Sequence, residues 1–318
     1  MKLSELYKKA VSTAIDNDPR GKEIVLKELE DARKKLDDMK PKEKDFFDME
    51  SLENPYSDSR LLVGSGDENI QNILIGIDID VGEIVLADTL RRQGKPVDLL
   101  LAHHPGGIAF GNLFSVMYMQ AEIFRAYGVP INIAEALTEG RMSEIERRLM
   151  PANHTRAVDA ARLLEFPFMC LHTAADNMVM MHLQKMLDDK KPYRLDEVVD
   201  LLLDIPEYRD AAKYNAGPKV LLGPDKRRTG KIFVDMTGGT EGAKDILKSL
   251  SQSGVNTIVG MHMSEEHRKE AEKCHLNVVI AGHIASDNLG INLLLDQTLA
   301  GQKINIIECS GFRRVARG

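Results

Sequence analysis

The sequence predicts an α/β protein, and three observations carry that expectation. Short runs rich in Leu, Ile and Val recur between stretches whose apolar residues fall at helical spacing, as strands alternating with helices do. Several of those runs stop abruptly at a histidine, as where Leu99-Leu100-Leu101-Ala102 gives way to His103-His104-Pro105-Gly106-Gly107. The chain has 318 residues, 43% of them hydrophobic, enough for two substantial lobes around a buried core.

The first fifty residues read as helix. Leu3, Leu6, Tyr7, Ala10, Val11, Ala14 and Ile15 follow i, i+3, i+4 spacing, and Val25, Leu29, Ala32, Leu36 and Met39 make a second stripe. Asp18-Pro19-Arg20-Gly21 forms the turn between them. Such helices pack as a hairpin or against a neighbouring subunit, and a peripheral scaffold is the expected role, because an amphipathic face by itself signals only burial.

Alternation begins after that extension. A strand is expected over 73–78, a helix over 83–92, the strand of the histidine pair over 99–102, a helix over 117–127 and a strand over 131–134. Another helix starts at 143–148 and continues past Pro151 through 157–164. The second half reads as a helix over 195–203, a strand over 219–222, the turn Gly223-Pro224-Asp225 and a strand over 231–236. A helix over 241–250, a strand over 257–260 and a helix over 265–274 follow. The chain divides into an N-terminal helical extension (1–50), a first α/β lobe (51–180) and a linking region with a second α/β lobe (181–318).

Composition excludes several classes. Aromatics are 5% and Trp is absent, so Leu, Ile, Val and the 15 Met must fill the core. Cys170, Cys274 and Cys309 are too few and scattered for a disulfide framework, and Cys170 and Cys309, in apolar strand-like runs, read as buried free thiols of a reducing compartment. A net charge of -7 opposes general nucleic-acid binding, which needs a basic surface. Lys226-Arg227-Arg228 and Arg313-Arg314 read as solvated loop and tail. There is no run of eighteen apolar residues and no signal-peptide pattern, so no membrane is expected and the cytoplasm is the default location.

Five of the nine histidines lie at the ends of apolar runs: His103, His104, His172, His262 and His283. The carboxyl ends of strands are where open α/β sheets bind ligands. Neighbouring residues on a strand point to opposite faces, so His103 and His104 serve one site only if the chain leaves strand geometry there, which Pro105-Gly106-Gly107 supplies. Asp176 follows His172 in His-Thr-Ala-Ala-Asp, and Asp287 follows His283 in Gly-His-Ile-Ala-Ser-Asp. Imidazole with carboxylate is the ligand set that Zn, Mn and Fe share. His103, His104, Asp176, His283 and Asp287 exceed the needs of one open site, and two ions sharing a bridging carboxylate would use them all. His172 and His262 read as groups that orient a ligand or carry a proton. Asp78 and Asp80 end a strand, where turn capping explains them comparably well. Gly238-Gly239-Thr240-Glu241 lacks the P-loop lysine and reads as a tight turn opening a helix. No serine sits in a Gly-x-Ser-x-Gly elbow.

These segments resemble the Ngg-interacting-factor-three family of dinuclear-metal proteins, also known as GTP cyclohydrolase I type 2. The resemblance is carried in family order by Asp58-Ser59-Arg60-Leu61-Leu62-Val63-Gly64, Ile75-Gly76-Ile77-Asp78, Leu101-Ala102-His103-His104-Pro105, His172-Thr173-Ala174-Ala175-Asp176, Thr237-Gly238-Gly239-Thr240, and Gly282-His283 through Asp287. The chain departs from the family at Asp287, where Glu is usual, at Ala174-Ala175, where Asn-Leu is usual, and in the fifty residues that precede the family's usual start. The resemblance implies two interlocked α/β lobes with metals at their junction, two divalent transition-metal ions (Zn, Mn or Fe) per chain, and a homo-oligomer of six chains.

The expected function is that of a metal-dependent hydrolase. Two ions about 3.5–4 Å apart lower the pKa of a bridging water and polarise the group under attack. The resemblance implies GTP as a small-molecule substrate, with opening of the guanine ring, although no guanine-reading or triphosphate-binding motif is evident. The alternative is a regulatory or metal-handling interaction protein without turnover, whose ions would be closed off by protein ligands.

Overall fold

Strand and helix alternate in the computed structural model, which describes residues 1–317. Helices α1 (Leu3–Asp16), α2 (Lys22–Asp38) and the single turn α3 (Pro41–Lys44) come first. Strands β1 (Arg60–Val63) and β2 (Asn72–Gly76) lead through α4 (Val81–Arg92) to β3 (Leu99–Ala102). Five helices then intervene, α5 (Gly107–Gly111), α6 (Leu113–Val116), α7 (Met119–Ala126), α8 (Ile131–Leu149) and α9 (Arg156–Leu163), before β4 (Phe168–Cys170). Helices α10 (Thr173–Lys190), α11 (Leu195–Leu203) and α12 (Pro206–Ala212) connect to β5 (Lys219–Leu222) and β6 (Lys231–Asp235). The chain continues as α13 (Ile246–Gln252), β7 (Val255–Gly260), α14 (Glu265–Lys273), β8 (Asn277–Ile280), α15 (His283–Thr298) and β9 (Asn305–Glu308).

The two sheets share one plan. Their orders are β1-β4-β3-β2-β9 and β5-β8-β7-β6, so each begins with its first strand, then its fourth, third and second. The first strand runs antiparallel to the fourth in both, and the other pairs are parallel. β9 leaves the second lobe and pairs with β2 of the first, Leu74 opposite Ile307. The first sheet is therefore completed by the last strand of the chain.

Both faces of the first sheet are covered, which is why its strands read as unbroken apolar runs. Ile73, Ile75, Leu99, Leu101 and Met169 point into the central core. Their neighbours Leu74, Leu100, Ala102, Phe168 and Cys170 point the other way, against Ile84 and Ala87 of α4 and Ala161 of α9. Helices α10 and α15 pack against each other so closely that a β-carbon at Gly290 would lie 2.5 Å from the Ala175 carbonyl oxygen. Among the described residues no helix is long and apolar enough to cross a membrane.

Several local expectations are corrected. α1 is no peripheral scaffold: Leu3, Leu6, Ala10 and Ala14 are at most 1% exposed and belong to the central core. α2 buries only Val25 and Leu29 of its expected stripe. Residues 131–134, expected as a strand, open α8, whose buried Ala134, Thr138 and Ile145 fall on one helical face while Ile133 is exposed. Pro151 lies in the break between α8 and α9, because proline has no N–H with which to continue the ladder. No helix begins at Glu241. Gly238 and Gly239 are in the left-handed region (φ +92 and +84), the Gln120 amide donates to the Gly238 and Thr240 carbonyls, and the helix starts only at Ile246. Cys170 is buried and free as expected, whereas Cys309 is partly exposed.

Candidate metal centre

The site forms where the carboxyl ends of β3, β4, β7 and β8 meet. After Ala102 the chain leaves strand geometry: the His103 and His104 amides both donate to the Ile77 carbonyl (3.2 and 2.9 Å). Alternation is thereby broken, and the two imidazoles lie on one side, their centroids 5.2 Å apart. Each is oriented by its Nδ1. That of His103 faces the Leu171 carbonyl at 3.1 Å and that of His104 faces an Asp78 carboxylate oxygen at 2.7 Å. Both partners only accept, so the Nδ1 protons point at them and each Nε2 lone pair is left for the site.

The carboxylates arrive on two helices. His172 caps α10, and Asp176 follows one turn later. Gly282 makes the turn into α15 at φ +115, where a β-carbon would strike the Ala216 carbonyl oxygen at 2.4 Å. His283 and Asp287 then share one face of that helix. The His103 Nε2 lies 3.5 Å from Asp176 Oδ1 and 3.5 Å from Asp287 Oδ1. The other Asp287 oxygen, Oδ2, lies 3.5 Å from His104 Nε2 and 3.6 Å from His283 Nε2.

These separations are too long for hydrogen bonds, and His103 Nε2, Asp176 Oδ1 and both Asp287 oxygens are buried without any hydrogen-bond partner. Bare buried carboxylate oxygens are costly. Two ligands each about 2.1 Å from a shared tetrahedral ion would stand about 3.4 Å apart, so the donor set fits a metal in both chemistry and spacing. Three overlapping groups meet that description: His103 with Asp176 and Asp287, His104 with His283 and Asp287, and His103 with His104 and His172.

Charges are coupled across the cluster. Burial resists ionisation of Asp287, but the surrounding His103, His104 and His283 hold its carboxyl well below the usual carboxylate range. Burial pushes Asp176 up to about 6. Burial also opposes a charge on His172, and the Asp176 and Asp58 carboxylates outweigh it, holding its pKa up at about 9.

All seven residues singled out from the sequence come together. His172 is buried, with Nδ1 on Asp58 Oδ2 at 2.8 Å and Nε2 3.9 Å from Asp176 Oδ2. His262, after β7, is exposed, and its ring centroid is 4.8 Å from that of His283. Sequence reasoning missed the roles of Asp58 and Asp78. Asp58 holds both His172 and the Thr173 hydroxyl (2.7 Å), and only its place in the family motif marked it. Asp80 does cap α4 as expected, with its carboxylate accepting from the Val81 amide, whereas Asp78 orients His104.

A cavity of about 470 Å³ opens onto this cluster, lined by residues of both lobes, among them His104, His172, His262 and His283.

No family model matches the chain, and no curated protein matches it. Among solved structures, a NIF3 superfamily protein from Sphaerobacter thermophilus is 30% identical and matches with a TM-score of 0.70, covering 80% of this chain and 91% of that one. The reduced form of HcgD from Methanocaldococcus jannaschii is 18% identical, covering 85% of this chain and 97% of that one with a TM-score of 0.49. Identity at the first of these levels, sustained over nearly the whole of the relative, shows that the chain belongs to the NIF3 superfamily.

Proposed function

We propose that the protein is a metal-dependent hydrolase with a dinuclear centre. His103, Asp176 and Asp287 Oδ1 would hold one ion, and His104, His283 and Asp287 Oδ2 the other, with Asp287 as the bridge. The observation that carries this reading is the pair of bare, buried oxygens on Asp287, each facing a different set of imidazole nitrogens. The imidazole–carboxylate donor set suits Zn, Mn or Fe. When bound, such ions supply the electrostatic pull that makes water acidic and polarises a carbonyl or phosphoryl group.

The chain's own groups divide the remaining work. Asp58, Asp78 and the Leu171 carbonyl fix the tautomers and directions of His172, His104 and His103. His172, tied to Asp58 and close to Asp176, serves as a positioning group. His262, exposed on the cavity wall without a hydrogen-bond partner among the described residues, would pass protons to and from a bound small molecule. A purely structural ion would be closed off by protein, whereas His104, Asp176, His283 and Asp287 all face a cavity with room for water and substrate. That favours turnover over a metal-handling role. We also propose assembly as a homo-oligomer of six chains, as the family resemblance implies.

Metal analysis of the protein purified without chelator tests the centre. The wild type is expected to carry up to two transition-metal ions per chain, and His104→Ala fewer. Unchanged metal content in His104→Ala would overturn the assignment. An activity screen over nucleotides, phosphoesters and cyclic amides with the metal-replete protein tests turnover.

A further inference from the structure

The cavity beside the centre is lined by acids and histidines, with no permanently cationic side chain among them. Asp78, Asp176, Asp235, Glu241 and Asp287 line it, and among the described residues no lysine or arginine does. Met236, Met261 and Met263 form part of the remaining wall. The guanidinium that reaches the loop over 238–242, that of Arg141, is engaged by the Glu241 carbonyl (3.1 Å) and the Glu144 carboxylate (2.7 Å). Five histidines line the cavity as well, but no lysine ammonium or arginine guanidinium is available in its wall to pair with the several charges of a triphosphate.

Four of the five carboxyls already have engagements. Asp176 and Asp287 face the centre, Asp78 accepts from His104, and Glu241 accepts from the Ser264 amide (2.9 Å) and pairs with His267 (3.1 Å). Asp235 is different. It is the last residue of β6 and lines the cavity, and its carboxyl has no hydrogen-bond or ionic partner among the described residues.

We propose that this cavity takes an uncharged cyclic amide or ureide, whose N–H group the Asp235 carboxyl accepts, and that it rejects polyphosphates. The proposal rests on the cavity serving the metal centre described above, and it specifies the substrate class of that centre. A cavity of about 470 Å³, walled in part by Met236, Met261, Met263, Leu247 and Ile258, accommodates a ring of one or two cycles. Burial and the neighbouring Glu241 push the Asp235 carboxyl up to about 7. The anion accepts from an amide N–H and the acid donates to an amide C=O, so either form of the carboxyl can engage the ring.

Calorimetric titration of the manganese-loaded full chain with hydantoin, 5,6-dihydrouracil, guanosine and GTP tests the proposal. Guanosine and GTP share a base and differ in the phosphates, so their affinity ratio isolates the effect of charge. At least one cyclic amide is expected to bind in the millimolar range or tighter, and GTP no more tightly than guanosine. Asp235→Asn is expected to weaken the bound cyclic amide about tenfold with metal content unchanged, because it replaces a charged acceptor by a neutral one. GTP binding tenfold or more tighter than guanosine would overturn the proposal. So would the failure of both cyclic amides to bind at about 10 mM, a concentration that reveals even weak complexes, or an Asp235→Asn variant that binds them as the wild type does. The guanosine-to-GTP ratio is read on the wild type and stands even if Asp235→Asn fails to fold. Failure of the metal centre itself shows separately, as a wild-type chain that takes up no manganese before any probe is added.

Discussion

The two oxygens of Asp287 point to different partners, one toward His103 and the other toward His104 and His283, from a side chain with no exposure. Asp287→Asn preserves size but removes the charge that would hold two cations together, so metal analysis is expected to show loss of at least one ion. Asp287→Glu restores the residue usual in the family, yet the site is built for the shorter side chain. Gly290, one turn further along α15, already touches Ala175 closely enough to prevent the helix from retreating. Metal binding is therefore expected to weaken in Asp287→Glu, as read by chelator competition. Asp58→Asn alters the partner of His172 and of the Thr173 hydroxyl rather than a proposed ligand, and is expected to give a milder loss, about 10–100-fold in metal affinity. At this scale the sequence was informative where chemistry is scarce. Strand-ending histidines are rare enough to stand out, whereas Asp58 and Asp78 look like any turn carboxylate until a histidine nitrogen is placed beside them.

Helix α1 was legible as a helix from its spacing, but nothing in that spacing says what it packs against. In the structure it lies within the central core, and the turn after it reaches toward the site. Asp18 accepts from Arg20 (2.9 Å), from the Tyr56 hydroxyl (2.9 Å) and from the Asn177 amide (3.3 Å). Asn177 follows Asp176 in the chain and accepts in turn from the hydroxyl of Thr237, which lines the cavity. Leu6→Ala is expected to cost about 2–5 kcal/mol, as other large-to-small changes in packed cores do. Asp18→Ala is expected to cost about 3–5 kcal/mol, because it leaves the nearly buried Arg20 guanidinium with Glu28 alone. Denaturant midpoints measure both. Deletion of residues 1–45 is accordingly expected to destabilise the fold rather than merely change oligomer size. The elements that escaped sequence reasoning did so for definable reasons. β1 and β9 are four residues each, and α15 is buried on nearly all sides, which erases the periodicity that marks a surface helix.

Over the whole molecule, the α/β class and the gathering of histidines at strand ends were readable, and the interlocking came only through the resemblance. The return of β9 to the first sheet pairs residues more than two hundred positions apart, which no local pattern encodes. Light scattering at micromolar concentration is expected to give the mass of an oligomer, and a monomer mass would contradict the proposed assembly. One feature of the centre reaches beyond chemistry. His103, His104 and Asp176 belong to the first lobe, while His283 and Asp287 belong to the helix that follows the second sheet. Each proposed ion is thus a rivet driven through the seam between halves. A ligand that binds only the folded state adds about 4 kcal/mol of stability at a thousandfold excess over its Kd. Starved of metal, the same chain would keep its core and lose its fastening, so metal supply would govern how long the protein survives proteolysis as well as what it can do.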